Sequence, residues 1–319
     1  MTDFTIIEAP SNLGLKPNSV EHLAGALLDA GLARRLGARR HARLAVPPYD
    51  ARRDPDTGIL NAARIRDFSV MLADIVAPVV ARGSFPVVLG GDCSILLGNL
   101  LALRRTGRRH GLLFLDGHAD FYQPEASLTG EAADMDLALS TGRGPDILAN
   151  IEGLRPLVRD ADVAVLGPRD AEQARDYGSQ PLPDTIFAQD LEDVRRVGAD
   201  EAARAAIEHL CRPELDGFWI HLDVDVLDDA VMPAVGYRMP DGLSWQELET
   251  ILNAAMRSGR ARGINITIFE PKLDQTGGIA RDLVNTLARG LVRSPDARLE
   301  LCATRQRRMG LGFQVARYA

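Results

Sequence analysis

The apolar run Gly111–Leu115 leads directly into Asp116-Gly117-His118-Ala119-Asp120. In extended backbone, residues two apart point to one side. The side chains of Asp116, His118 and Asp120 can therefore converge where a buried strand ends. Neighbouring carboxylates repel, and burying them unpaired is costly. A divalent cation removes both penalties; the alternative is a strand end whose acids cap the next helix. A second stretch repeats the pattern, since Phe218-Trp219-Ile220-His221-Leu222 runs into Asp223-Val224-Asp225, with Asp228 and Asp229 beyond. Together the two stretches offer one imidazole and four carboxylates, enough for two hard ions that activate a water between them. His221 alternates with Asp223 and Asp225, but reads as a core histidine satisfied by backbone.

The rest of the chain alternates strand and helix. Apolar strand patterns fall near residues 5, 43, 86, 112, 163, 185, 218 and 264. Helical spacing predicts helices over 20–36, 61–82, 95–105, 200–210, 244–258 and 279–292. Ser244 and Glu247 form a capping-box pattern at the start of one of them. The stretch 123–144 reads as irregular and is too long for a mere connection. Near-continuous apolar strands between helices predict an α/β three-layer sandwich, with a mostly parallel, about eight-stranded sheet covered on both faces. No linker or repeat divides the chain, so residues 1–319 are expected to form a single domain. Ligands of such sheets gather at the carboxyl ends of the strands, where the motifs after 89, 115, 166, 222 and 269 all lie.

Composition excludes several classes. A net charge of −7 argues against a nucleic-acid partner, which needs a basic surface. The arginine pairs at 34–35, 39–40, 104–105 and 108–109 sit within or just after helical patterns and read as solvated faces or subunit contacts. No apolar run approaches a membrane span, and the start of the chain lacks a signal-peptide pattern. Cys93, Cys211 and Cys302 form no spaced framework, which predicts a reduced, cytoplasmic protein.

Gly90-Gly91-Asp92-Cys93-Ser94, Asp116-Gly117-His118-Ala119-Asp120 and Asp223-Val224-Asp225-Val226-Leu227-Asp228 resemble, in order and spacing, three signature motifs of one family. It is the arginase/agmatinase/formiminoglutamase (ureohydrolase) family, and the resemblance extends over most of the chain. It implies an arginase-like three-layer fold, assembled as trimers or hexamers. It also implies two divalent ions, Mn²⁺ by preference, bridged by a hydroxide that attacks a guanidinium or related C–N centre. Carried over by position, Asp116 and Asp223 bridge the ions. Cys93 and Asp120 complete one site, and His118 and Asp225 complete the other. Asp120 or the bridging water's network is the available proton source for the departing amine.

The departures from the family pattern bear on substrate. Cys93 stands where the family has a ligating histidine, which makes its site weak for Mn²⁺ or suited to a softer ion. Its place at a helix N-terminus predicts a lowered thiol pKa; the other reading is an inert small hydrophobe. In the matching substrate loop, Tyr122, Ser127 and Thr129 remain as polar groups. Glu131 replaces an asparagine that receives a substrate carboxylate, and Ala133 replaces a histidine. The guanidinium-binding glutamate falls on Ile268, with Glu270 two residues on, projecting to the same face if the strand is regular, where it does the same catalytic work or merely caps the following turn. Asp170 and Glu172 match the turn beside the substrate amino group. A carboxylate at Glu131 would repel that of L-arginine. The expected substrate is therefore a different guanidino or amidino compound, of the agmatinase, guanidinase or hydroxyarginine-hydrolase type. The competing readings are a catalytically weak binding or scaffold protein with a degraded metal site, and a phosphate loop at Gly90-Gly91. The last lacks the spacing of any phosphate-binding motif.

Overall fold

A computed structural model of the chain describes residues 2–292. Eight strands form one sheet: β1 (Phe4–Glu8), β2 (Arg39–Arg43), β3 (Phe85–Leu89), β4 (Gly111–Leu115), β5 (Val163–Leu166), β6 (Phe187–Gln189), β7 (Phe218–Asp223) and β8 (Ala261–Thr267). Their order is β2-β1-β3-β8-β7-β4-β5-β6, and every pairing is parallel. Neighbouring positions along a strand enter opposite layers. Ile6, Val87, Leu113 and Ile220 face one apolar cluster. Ile7, Val88, Phe114 and Trp219 face the other. Burial on both sides is why these strands read as unbroken apolar runs. Helices Leu23–Asp29, Ala199–Leu210, Trp245–Arg257 and Gly278–Leu291 supply the first cluster, while Ala62–Ala81 and Ile95–Arg104 supply the second. The expected three-layer α/β sandwich is the observed one.

Local chemistry explains the element ends. Ser244 Oγ accepts from Glu247 N at 3.3 Å and Glu247 Oε2 accepts from Ser244 N at 2.8 Å, closing the expected capping box at the start of helix 245–257. The single helix expected over 20–36 is instead a 3₁₀ turn at 20–22 and two short helices, Leu23–Asp29 and Leu32–Leu36. Gly31 takes φ +95° between them, a conformation that ends a right-handed helix. The second strand lies at Arg39–Arg43, earlier than expected, and most of its side chains are exposed. Glu8 at the end of β1 holds it, accepting from Arg40 at 2.6 Å and Arg43 at 2.7 Å. The stretch 123–144 contains a short helix, Asp136–Ser140. Cys93 is a free buried thiol, and Cys302 lies outside the described residues. No helix among the described residues is long and apolar enough to cross a membrane.

The strand order gathers the motifs. Strands β3, β8, β7 and β4 are successive neighbours in the middle of the sheet. Their carboxyl ends bring the loops after Leu89, Thr267, Leu222 and Leu115 to one place.

Candidate metal centre

The loop after β4 is held by its own acids. Asp116 Oδ1 accepts from His118 N at 2.6 Å, and Asp225 Oδ1 accepts from Gly117 N at 3.1 Å. Gly117 has no room for a side chain: a Cβ would stand 2.6 Å from Arg169 Nη1 and 2.8 Å from Asp225 O. The end of β7 turns in the same way, with Asp223 Oδ1 accepting from Asp225 N at 2.8 Å. His118 Nδ1 then lies 3.1 Å from Asp225 Oδ2 and 3.5 Å from Asp116 Oδ1. From the loop after β3, Cys93 Sγ stands 2.9 Å from Asp223 Oδ2 and 3.2 Å from Thr267 Oγ1. Three groups of ligand atoms result, each with all members within 4.8 Å of one another: Asp116, His118 and Asp225; Cys93, Asp116 and Asp120; and Cys93, Asp136 and His221. Asp116 belongs to the first two. The loops bring these ligands together although they leave strand geometry: β4 ends at Leu115, Asp120 takes φ +45°, and Asp225 lies in a 3₁₀ turn.

The electrostatics fit a cation. Burial, and then Asp116 and Asp136 beside it, push the Asp120 carboxyl well above its usual range. Burial with Asp225 and Asp116 does the same to Asp223. For His118, burial works against charge, but Asp225 and Asp116 overcome it and raise the imidazole well above its ordinary value. The expected lowering of the Cys93 thiol is not seen. Burial first, and then Asp223 and the other acids, push it up, and they outweigh the helix N-terminus. Asp116 Oδ2 and both carboxylate oxygens of Asp136 are buried without a well-formed hydrogen bond. Orphaned carboxylate oxygens among like charges are costly unless a proton or a metal ion meets them. A divalent cation therefore suits this donor set.

The cluster floors a cavity of about 240 Å³. Tyr122, Ser127, Thr129 and Glu131, expected from the sequence, line it, as do Ala133 and Ile268. Ser127 Oγ donates to Asp134 Oδ2 at 2.8 Å. Glu131 is already engaged at both oxygens, by Lys16 N at 2.5 Å and the Tyr237 hydroxyl at 3.0 Å. Asp170 and Glu172 do not line the cavity. The Asp170 carboxylate accepts from Ala119 N at 3.1 Å, bracing the β4 loop, and Glu172 is exposed in the first turn of helix Ala171–Asp176. Beside them, Arg169 donates to the carbonyls of Asp225, Leu227 and Met239. The regular strand assumed for Glu270 ends at Thr267: Ile268 takes φ +72°, an unusual backbone for a β-branched residue. Glu270 consequently meets Asn18 and Ser19, each at 3.4 Å.

Sequence reasoning missed several participants. Asn18 and Asp134 line the cavity, and Gln173 and Tyr177, in and just after helix Ala171–Asp176, and Tyr237 reach it from distant segments and carry no local signal. Asp136 is fully buried, with ligand atoms within 4.8 Å of Cys93 and His221. Its signal was the alternation Asp134-Met135-Asp136, in a stretch read as irregular. His221 also differs from its expected state. Its ring stacks on Phe114 with centroids 4.6 Å apart, and its Nδ1 meets the side chain of Asn265, not backbone, at 2.7 Å.

Comparison with known proteins agrees with this geometry. A model of the Arginase family matches residues 26–293. An arginase of Staphylococcus aureus (strain MSSA476) is 27% identical over 288 residues, covering 88% of this chain and 94% of that protein. The solved arginase of Bacillus caldovelox superposes with a TM-score of 0.82 at 26% identity, over 92% of this chain and 100% of that one. The agmatine ureohydrolase of Thermoplasma volcanium shares the fold, with a TM-score of 0.65 at 17% identity over 91% of this chain and 90% of that one. Motifs, fold and family match coincide, and the chain belongs to the arginase family.

Proposed function

We propose that the protein is a dinuclear-metal hydrolase that cleaves a C–N bond of a guanidino or amidino compound other than L-arginine. The observation that carries this reading is the pair of ligand groups sharing Asp116 on the floor of an acidic cavity. Asp116, His118, Asp223 and Asp225 would hold one ion, and Cys93, Asp116, Asp120 and Asp223 the other. Ions so held polarise a bound substrate and lower the pKa of water they hold. The chain's own groups do the rest. Asp120, Asp134, Glu131, Asp223 and Asp225 line the cavity, and no lysine or arginine among the described residues does. Such a wall attracts a cationic guanidinium and leaves a substrate carboxylate without a counter-charge. Asp120, buried beside Cys93, is placed to take a proton from the attacking water and pass it to the leaving amine. Glu270 stands behind Asn18 and Gly236, which line the cavity, so here it orients Asn18 and does not touch the guanidinium.

A second reading, a binding protein with a degraded centre, is favoured by Cys93, Ala133 and Ile268 standing at positions the family fills with polar groups. The two separate on metal content and turnover. After reconstitution with Mn²⁺ or Zn²⁺, near two ions per chain with urea-type and amine products from a guanidino panel support the hydrolase. One ion or none, with no product, supports the binding protein. The family resemblance also carries the expectation of a cytoplasmic trimer or hexamer; light scattering of the purified protein tests the oligomer.

A further inference from the structure

Asp136 takes part in neither proposed ion site and has no part in substrate binding or proton transfer. It opens the short helix 136–140, is fully buried, and has no well-formed hydrogen bond at either carboxylate oxygen, its near neighbours being the Asp120 carboxyl and the Leu137 N–H. It does not line the cavity, so it cannot touch substrate. Its ligand atom lies within 4.8 Å of Cys93 Sγ and of His221 Nε2, and Asp136 Oδ2 is 3.9 Å from that nitrogen. A buried carboxylate in this position needs either its own proton or a cation. His221 is not a competing ligand. Trp219 Nε1 donates to Asn265 Oδ1 at 2.7 Å, which turns Asn265 Nδ2 toward His221 Nδ1. An amide nitrogen can only donate, so Nδ1 accepts and the ring proton sits on Nε2, facing Asp116 and Asp136.

We propose that Asp136 is a ligand of the ion at Cys93, approaching it from the side away from the cavity. The proposal rests on the metal-centre reading and adds to it. Where imidazole is replaced by a thiol, a carboxylate from the substrate loop's own helix supplies the missing hard donor. The His221 Nε2–H group is then a positioning donor toward Asp116 and Asp136, of the kind that usually orients metal-bound carboxylates.

The test is a Co²⁺ titration followed by the thiolate-to-metal charge-transfer band, on the unmodified protein and on Asp136→Asn. Asparagine has the shape of a protonated aspartic acid, so a carboxyl that merely keeps its proton would be replaced silently. A ligand would not. The band is expected in both proteins, with half-saturation in D136N shifted at least about tenfold to higher Co²⁺, by comparison with the cost of removing metal-orienting partners. Superimposable titrations overturn the proposal while leaving the metal centre intact. An unmodified protein that binds no Co²⁺ overturns both. Should D136N fail to fold, anomalous diffraction from the unmodified protein loaded with Zn²⁺ decides. A peak about 2.0–2.2 Å from an Asp136 oxygen supports ligation, and a peak on Cys93 beyond reach of Asp136 refutes it.

Discussion

Asn265 and His221 are register partners on β8 and β7, and their side chains meet at 2.7 Å with the amide nitrogen toward Nδ1. Trp219 fixes that amide by donating to its oxygen. The tautomer of His221 is thus set by the Trp219 indole acting through Asn265. We expect long-range ¹H–¹⁵N correlation spectra to show His221 Nδ1 as an unprotonated nitrogen. Asn265→Asp presents an acceptor to Nδ1 instead and should move the proton onto it. A protonated Nδ1 in the unmodified protein would refute the assignment.

Cys93 makes the two ion sites unequal. Mn²⁺ prefers carboxylate, water and imidazole, whereas thiolate suits Zn²⁺. The buried thiol is moreover held toward its protonated form by burial and by Asp223. Mn²⁺ stoichiometry should lie below two per chain, and Cys93→His should raise it toward two. Calorimetric titration measures this. Two equally tight sites, unchanged in the variant, would make the sulfur a bystander.

Glu131 and the lack of a lining lysine or arginine among the described residues set the substrate expectation. L-Arginine should be turned over less efficiently than agmatine or simple guanidines, with the difference mainly in KM, because a substrate carboxylate meets an acidic wall. Both Glu131 oxygens already hold Lys16 N and Tyr237, so the loop cannot easily withdraw that charge. Steady-state kinetics of the metal-loaded protein decide it. Arginine matching agmatine in kcat/KM sinks the expectation.

The fold was legible because its central strands are apolar on both faces, which leaves few other assignments for runs such as Gly111–Leu115. The centre was legible because acids and a histidine cluster just past two buried strand ends, but the alternation argument does not carry it: 117–118 form a bend, Asp120 takes φ +45° and Asp225 sits in the 3₁₀ turn Val224–Val226. What was hidden depends on contacts distant in sequence. Asp136 reaches Cys93 only because a loop read as irregular folds into a turn of helix. Glu270 was placed by extending β8 beyond Thr267, and the left-handed backbone at Ile268 breaks that extrapolation. His221 looked like a core residue and is one, but its partner comes from the neighbouring strand, which no local pattern announces.

The arginine-rich edge strand offers a last check, far from the metal. Glu8 is buried at 3% exposure, while Arg40 and Arg43 are more than half exposed. Burial alone would raise the Glu8 carboxyl, but the hydrogen bonds from Arg40 and Arg43 prevail and hold it below its ordinary value. A carboxyl with a lowered folded pKa stabilises above its unfolded pKa, about 4.3. That stabilisation is lost as pH falls through the folded value. Glu8→Gln should therefore cost stability at neutral pH and progressively less in acid. With both partners screened by solvent, about 1 kcal/mol is expected at pH 7. Urea unfolding of both proteins at pH 7 and near pH 3 measures the difference. A deficit that stays constant with pH would show that β2 is held by shape and backbone pairing, and not by the charge of Glu8.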